Sequence, residues 1–240
     1  FSSLISLGAL VTLILSTDVE KTDFNITEEY YLLLLLSTLG AVVLILASHM
    51  ASLLLGMELL GISLYAMIAF PEKNPNPLEA AIKYLVLSAA ASAMLLFGFA
   101  LIYAATGDLS YVGIGARLSL ASIKNPLLVV AGTSMLLASI GFKLSLAPFH
   151  MWTPDVYQGS PTLITALLSV VPKVAAFAVV IRFLVSPFGE INVDWGKIII
   201  ILSITSMLVG SFAALFQSDL KRLFAYSTIN HVGFMLMGLV

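Results

Sequence analysis

Four ionisable side chains lie inside long apolar stretches of the sequence. Glu58 stands in LLLGMELLGISLY, Lys83 in LEAAIKYLVLSAAASA, Lys143 in GFKLSLAPFH and Lys173 in LLSVVPKVAAFAVV. A charge at the centre of a membrane-spanning helix costs at least about 2.5–3.5 kcal/mol, so such residues are rare and typical of proton or ion pathways. One carboxylate and three amines could hold and pass protons, and we take these four residues as a candidate proton pathway.

Each of these residues also has a structural interpretation. Lys83 lies about five residues into its apolar run, roughly 7 Å along a helix axis, so its ammonium could reach the headgroup region. Lys143 could anchor a helix end in water. Glu58 is too short and Lys173 too central to reach the surface, and both could simply hold helices together through polar contacts. The residues alone leave these alternatives open.

Pro148 predicts an interruption of the helix that contains Lys143. A proline removes a backbone donor and clashes with the preceding turn, so the helix that enters from residue 125 is expected to break close to Leu146, giving a broken helix near 143–150. Irregular backbone at membrane depth is tolerated only where it is buried in protein or lines a watery cavity, and broken helices are typical of ion transporters. A cation is favoured at the C-terminal end of such a half-helix.

Three more residues extend the candidate pathway. Pro172 directly precedes Lys173 and leaves a carbonyl free one turn earlier, which makes room for water. His150 follows the predicted break and could pass a proton, because histidine titrates near neutrality, or it could pack beside Trp152. His231, ten residues into the last apolar run, could continue the polar pathway or pack against a neighbouring helix.

Two further features have simpler interpretations. The stretch SAAAS at 88–92 predicts a small-residue face for close helix packing. Lys221 and Arg222 begin the last apolar run, and we expect them to anchor it at the membrane interface.

The elements that position these side chains follow from composition. Of 240 residues 60% are hydrophobic and 10% charged, against roughly 45–50% and about 25% in soluble domains, and the mean hydropathy is +1.07. The apolar runs fall at 1–16, 30–48, 51–70, 78–105, 125–146, 161–186, 195–217 and 221–240, and only 17–29 and 106–124 are long connections. The sequence therefore predicts an all-α, polytopic transmembrane helix bundle in a lipid bilayer, with 1–240 as a single membrane domain. Continuously apolar runs do not fit the alternation of barrel strands.

Composition also excludes several classes of function. The 11 basic and 13 acidic residues form no basic stripe, so nucleic acid is not expected as a partner. There is no cysteine to hold an iron–sulfur cluster, and no nucleotide fingerprint such as G-x-G-x-x-G. We therefore expect no cofactor and no metal in this chain. Because the sequence begins at Phe1 and its last apolar run is still in progress at Val240, we expect a portion of a longer protein.

Several segments together resemble a known family. They are GFKLSLAPFHMWTPDVYQGSP followed by VPKVAAFAVVIRF, the upstream GMELLGISLY and EAAIKYLVLSAAASAMLLFG, and the downstream DLKRLFAYSTINHVGF. From about residue 30 to 240 the chain resembles the subunit N family of the bacterial proton-pumping NADH:quinone oxidoreductase, respiratory complex I. The wider family includes Mrp-type sodium/proton antiporter subunits.

The resemblance implies both a fold and a set of site residues. The fold would contain two inverted five-helix repeats, with 30–186 as the first antiporter-like repeat and 195–240 as the start of the second. Position by position, Glu58 corresponds to the family's helix glutamate, Lys83 to a lysine that pairs with it, Lys143 to the broken-helix lysine, His150 to the histidine after it, and Lys173 to the central lysine.

The resemblance also implies a function. The chain would be a proton-translocating, non-redox membrane subunit of a respiratory NADH:quinone oxidoreductase, moving or relaying protons while other subunits reduce quinone. Flavin and iron–sulfur clusters would belong to partner subunits, quinone would be the substrate of the complex, and the partners would be other membrane subunits, including neighbouring antiporter-like ones, in the bacterial inner membrane. The alternatives are an Mrp-like cation/proton antiporter subunit and a structural membrane scaffold.

Overall fold

The chain forms a bundle of α-helices in the computed structural model, which describes residues 1–19, 28–70, 76–119, 125–185 and 195–239. The described residues contain ten helices and no strand: α1 Ser2–Val19, α2 Glu28–Leu46, α3 Met50–Ile68, α4 Asn76–Thr106, α5 Tyr111–Ser119, α6 Pro126–Leu144, α7 Trp152–Gly159, α8 Thr162–Val185, α9 Trp195–Leu215 and α10 Leu220–Met237. A helix occurs at each of the eight predicted apolar runs, and the all-α prediction is confirmed.

Six of these helices are long and apolar enough to cross a membrane. They are α2, α3, α4, α6, α8 and α9, whereas α1 contributes a shorter apolar helix, Ser2–Thr17. Because every backbone polar group in lipid must be bonded internally, such helices are the expected spanning elements. The chain is therefore a multi-pass membrane protein, as predicted.

Close backbone contact joins α2 to α3. A Cβ at Gly40 would lie 2.5 Å from Leu60 N, and a Cβ at Gly56 would lie 2.7 Å from Leu44 N. No side chain fits at such distances, so glycine is required at both positions for the two helices to meet. The contact fixes α3, and with it Glu58, against the rest of the bundle.

The segment after α6 is irregular. α6 ends at Leu144, two residues before the predicted position, and Ser145 has a φ of 65°, while α7 begins at Trp152. The left-handed Ser145 turns the chain, and its N–H is bonded to the last turn of α6. That α6 and α7 form the two halves of a single broken helix remains a prediction. Pro172 lies inside α8, which continues through it.

The predicted loop 106–124 contains a helix, α5, that was not predicted from the sequence. Its start is built from local polar bonds, since the Asp108 carboxylate accepts from Ser110 N at 2.8 Å. It is also tied to the α2–α3 turn, where Tyr111 N donates to Ser48 O at 3.0 Å and Met50 N donates to Leu109 O at 2.9 Å. Most of predicted loop 17–29 lies outside the described residues.

The last two helices form an antiparallel pair. α10 begins after Asp219, whose carboxylate accepts a hydrogen bond from Arg222 N at 2.9 Å and so caps the helix. α10 packs against α9 and also against α7. The short helix α7 therefore lies between this pair and the earlier helices.

Candidate functional site

The ammonium group of Lys143 is buried between α3, α4 and α6. Its side chain is 3% exposed, and Nζ donates a hydrogen bond to Ser88 Oγ on α4 at 3.1 Å. The same nitrogen lies 5.4 Å from the centre of the Tyr84 ring, one turn before Ser88, in a cation–π arrangement. A buried amine must find acceptors within the protein, and α4 supplies both a hydroxyl and an aromatic face.

Glu58 binds the same face of α4 one turn further along. Ser92 Oγ donates a hydrogen bond to Glu58 Oε1. Because Ser88 and Ser92 are four residues apart, the two hydroxyls are separated by about 6 Å along the helix. On α3, a Cβ at Gly61 would lie 3.4 Å from Lys143 Nζ, so the turn that follows Glu58 faces the ammonium. The structure therefore brings Glu58 and Lys143 to neighbouring turns of one polar face.

The ammonium group of Lys173 lies at the end of α6. Its side chain is also 3% exposed, and Nζ donates to Lys143 O at 3.0 Å and to Ser145 Oγ. The last carbonyls of a helix have no partner within the helix, and a lysine is a suitable donor for them. The backbone of Lys143 therefore connects the two lysines directly.

The first turn of α7 completes the surroundings of Lys173. The Trp152 ring lies 4.7 Å from Lys173 Nζ, and its Nε1 donates to Phe142 O at 2.8 Å. Thr153 Oγ1 donates to Ser145 Oγ at 2.6 Å. The start of α7 is thus bound to the same end of α6 that accepts from Lys173.

Lys83 is placed away from this series, and its ion-pair partners are Glu79 and Asp155 rather than the expected Glu58; a role for Lys83 in proton transfer remains a prediction. Its Nζ lies 2.9 Å from Glu79 and 3.1 Å from Asp155, and its side chain is 44% exposed. Lys83 lies on a different face of α4 from Ser88 and Ser92, so its side chain reaches Glu79 and Asp155 and not Glu58. The interpretation in which Lys83 reaches a polar surface describes its position better.

Lys83 lines a cleft that contains an ion cluster. The cleft has a volume of ≈ 280 Å³ and is lined by Glu79, Ala80, Lys83, Asp155, Gln158, Gly159 and Arg222. Asp155 is the centre of the cluster, since Arg222 Nη1 lies 2.8 Å from its second oxygen. Burial raises the pKa of Asp155, but hydrogen bonds and charges from Lys83 and Arg222 outweigh it and hold the pKa below its ordinary value.

The two candidate histidines are not joined to the buried lysines. His150 is partly buried, and burial lowers its pKa. Its Nδ1 has no hydrogen-bond partner among the described residues, and Lys143 is bound to Ser88 instead. His231 is exposed on α10. A role for either histidine in proton transfer remains a prediction.

The side chains that bind Lys143 and Glu58 were not predicted from the sequence as site residues. Ser88 and Ser92 were predicted as a packing face, yet their hydroxyls bind Lys143 and Glu58. The available signal was the spacing of two hydroxyls at i and i+4 on an otherwise apolar helix, which places them on one face. Arg222 was predicted as an interface anchor, which remains a prediction, and its ion pair with Asp155 was not predicted.

Within the described ranges no group of three or more His, Cys, Asp or Glu side chains could hold a metal ion. The prediction that flavin and iron–sulfur groups belong to other subunits remains a prediction.

The chain is similar to known membrane proteins in both sequence and structure. The family model described as "NADH:quinone oxidoreductase/Mrp antiporter, TM" matches residues 47–240. NADH-quinone oxidoreductase subunit N of Methylococcus capsulatus is 46% identical over 240 residues, which are 100% of this chain and 48% of that protein. The subunit of the same name from Ruthia magnifica subsp. Calyptogena magnifica is 42% identical over 235 residues, 97% of this chain and 49% of that protein. The chain spans about half the length of the curated relatives it matches.

Solved structures with a similar fold come from three kinds of complex. A chain of respiratory complex I from Thermus thermophilus with bound aureothin has a TM-score of 0.82 and 38% identity, covering 100% of this chain and 50% of that chain. A chain of the membrane-bound sulfane sulfur reductase, an archaeal respiratory membrane complex, has a TM-score of 0.84 and 30% identity, covering 100% of this chain and 49% of that chain. A chain of the Mrp complex from Dietzia sp. has a TM-score of 0.86 and 21% identity, covering 100% of this chain and 44% of that chain. At this identity the similarity shows the fold alone.

Proposed function

The chain belongs to the NADH:quinone oxidoreductase/Mrp antiporter transmembrane family, and on that premise we propose that it moves or relays protons across a membrane. Its protein would be a subunit of a respiratory NADH:quinone oxidoreductase in the bacterial inner membrane, working beside other membrane subunits, including antiporter-like ones. Flavin and iron–sulfur clusters in partner subunits would carry the electrons to quinone. Residues 30–186 would form the first antiporter-like repeat and 195–240 the start of the second.

One observation carries the proposal, namely the arrangement of Glu58, Lys143 and Lys173, in which Lys173 is hydrogen-bonded to Lys143 and Glu58 binds the next turn of the same helix face as Lys143. Ser92 and Ser88 lie on neighbouring turns of α4, and they bind Glu58 of α3 and Lys143 of α6, respectively. Lys173 is bonded to the backbone carbonyl of Lys143. The distance of about 6 Å between the two hydroxyl positions can be bridged by a single water, which is a sufficient link for proton transfer.

Electrostatics provides a switch that supplies part of the energy of one transport step. A carboxylate about 4 Å from an ammonium contributes about 4 kcal/mol at an effective dielectric of 20. Moving one proton against a membrane potential of about 150 mV requires roughly 3.5 kcal/mol. At about 6 Å, the spacing of the two hydroxyls, the same pair contributes about 2.8 kcal/mol, so movement of Glu58 from Ser92 to Lys143 would change the energy of the ammonium by about 1.4 kcal/mol. That is about a tenfold change in its proton affinity.

The test is Lys143→Ala in the assembled complex. We expect NADH-driven proton uptake into inverted membrane vesicles and quinone reduction to fall together by at least about tenfold, because the charge that carries the proton is gone. The control is Arg117→Ala, which removes an exposed cation from α5. Uptake and reduction both at the wild-type level in Lys143→Ala would favour the structural scaffold and refute the proposal.

A second candidate, cation/proton antiport, is favoured by the family description, which also names Mrp antiporters. The same vesicles distinguish it. Sodium-dependent ion flux that is lost in Lys143→Ala, without dependence on NADH, would support the antiporter.

A further inference from the structure

The short helix α7 has contacts of two kinds within a single turn. At its start, Trp152 binds the carbonyl of Phe142 at 2.8 Å and lies over Lys173 Nζ at 4.7 Å. Three residues later, Asp155 binds Lys83 on α4 and Arg222 on α10, at 3.1 and 2.8 Å. Residues at i and i+3 are neighbours on a helix, so the ion cluster and the Lys173 site are attached to the same turn.

The cluster joins α7 to the α9–α10 pair. α10 packs against α7, and Lys221 Nζ donates to Ser160 O, directly after α7, at 2.7 Å. Before α7, Ala147 N donates to Ser206 Oγ on α9 at 3.0 Å. The segment that contains α7 is therefore held at both ends by the α9–α10 pair. A shift of that pair would move α7 as a unit, since a helix of 8 residues has little length over which to bend.

Both cations have other partners if Asp155 releases them. Lys83 is also bound to Glu79 on its own helix at 2.9 Å. Arg222 Nη1 donates to Gln158 Oε1 at 3.0 Å as well. Neither cation would be left without an acceptor when its bond to Asp155 opens, and the Asp155 carboxylate, whose side chain is 39% exposed, can then be hydrated. The cluster can therefore rearrange without leaving a charge both buried and unpaired. A rearrangement that leaves every group satisfied is the requirement for a two-state element.

We propose that Asp155 is a positioning residue that couples the α9–α10 pair to Lys173 through α7. Asp155 does not take up the transported proton. Its bonds to Lys83 and Arg222 set the position of α7, and α7 places Trp152 and Thr153 against the end of α6 where Lys173 is bound. Movement of α10 would then change the surroundings of Lys173. This inference rests on the proposed function.

The experiment compares Asp155→Asn, Arg222→Gln and the double variant in assembled complex, with proton uptake and quinone reduction measured in inverted vesicles. We expect Asp155→Asn to lower both by about fivefold, and the double variant to be no worse than the more affected single variant, because residues in one network are non-additive. Asp155→Glu, which keeps the charge, should retain at least about half of the activity. Asp108→Asn is the matched control, since the Asp108 carboxylate binds Ser110, two residues away in the chain, and asparagine caps as well as aspartate.

Each result has a definite meaning. Wild-type uptake in assembled Asp155→Asn, or effects of the two single variants that add in the double variant, would overturn the coupling. If Asp155→Asn does not assemble, Arg222→Gln is used for the test, because Lys83 still binds Asp155 in that variant. Unchanged proton uptake in Arg222→Gln would then overturn the inference. Lys143→Ala is measured in parallel. If it stops uptake while Asp155→Asn does not, only the coupling fails; if it has no effect, the proposed function itself fails.

Discussion

Replacing Gly61 with alanine puts a methyl group into the space between α3 and the ammonium of Lys143. The new Cβ would lie 2.7 Å from Tyr65 Oη and 3.4 Å from Lys143 Nζ. The first distance is too short for two heavy atoms that are not bonded, so the Tyr65 ring must move. That ring packs edge-on against the Tyr84 ring, with 5.1 Å between the ring centres. The Tyr84 ring in turn faces the ammonium of Lys143 at 5.4 Å. The methyl group therefore contacts Lys143 and disturbs it through the forced shift of Tyr65 and its neighbour Tyr84.

The expected magnitude follows from two opposing terms. Overpacking of a filled interior costs about 1–3 kcal/mol, while alanine is more favourable than glycine inside a helix by about 0.8–1.0 kcal/mol. The net loss of stability is at most about 2 kcal/mol, so the complex should still assemble. The functional loss is larger. A hydrogen bond to a charged group contributes about 1.5–3 kcal/mol, and displacing Lys143 from Ser88, now 3.1 Å away, would lower the population of the connected series by about 10- to 150-fold.

The assay is NADH-driven proton uptake in inverted vesicles, normalised to the amount of assembled complex. We expect Gly61→Ala to lower uptake at least about tenfold. Gly8→Ala, where the new Cβ meets only Val171 Cγ2 at 3.3 Å and Val170 Cγ1 at 3.5 Å on α8, is the control. Adding Tyr65→Phe removes the atom in the closest contact and should restore part of the activity. Wild-type uptake in assembled Gly61→Ala would refute the argument that Lys143 works from its position against Ser88.

Two further predictions concern Ser92 and Asp155. Ser92→Ala removes the hydrogen bond to the Glu58 carboxylate, worth about 1.5–3 kcal/mol, and should lower proton uptake about tenfold. Ser134→Ala, which removes an exposed hydroxyl bonded within its own helix, should not lower it. Equal uptake in the two variants would contradict this prediction. The pKa of Asp155 is below its ordinary value in the folded protein, so its contribution to stability is present above the unfolded pKa of about 3.9 and is lost as the pH falls through the folded pKa. Thermal inactivation of the wild type should therefore become faster below about pH 4 relative to Asp155→Asn, and should show no such pH dependence near neutrality. Inactivation rates that depend on pH in the same way for both proteins at acid pH would contradict this prediction.

The helices could be predicted from the sequence because their signals are local. A run of about 20 apolar residues forms a membrane helix whatever its neighbours are, and α3, α4, α8 and α9 all lie within a few residues of their predicted runs. α5 could not be predicted in the same way. Its start depends on bonds from Tyr111 and Leu109 to the α2–α3 turn, some sixty residues earlier in the chain, and only the folded chain brings these groups together.

The end of α6 after Lys143 also depends partly on a local sequence signal and partly on contacts with distant residues. Pro148 predicted that the helix would end nearby, since a proline disrupts the preceding turn. The actual end at Leu144 depends on Ser145, which takes a left-handed conformation and binds Lys173 and Thr153. These partners belong to α8 and to α7, so the proline alone could not locate the end.

By itself the sequence determined that this is an all-α membrane protein and that Glu58, Lys143 and Lys173 are charges placed within apolar helices, because the cost of a charge in lipid makes each of them conspicuous. Only the tertiary structure decided which of these charges meet. The faces of α4 separate the serines that bind Glu58 and Lys143 from Lys83, which pairs with Glu79 and Asp155. Residue type sets the energy of a buried charge, whereas its partner depends on the rotation and packing of each helix, which arise from contacts among many distant residues.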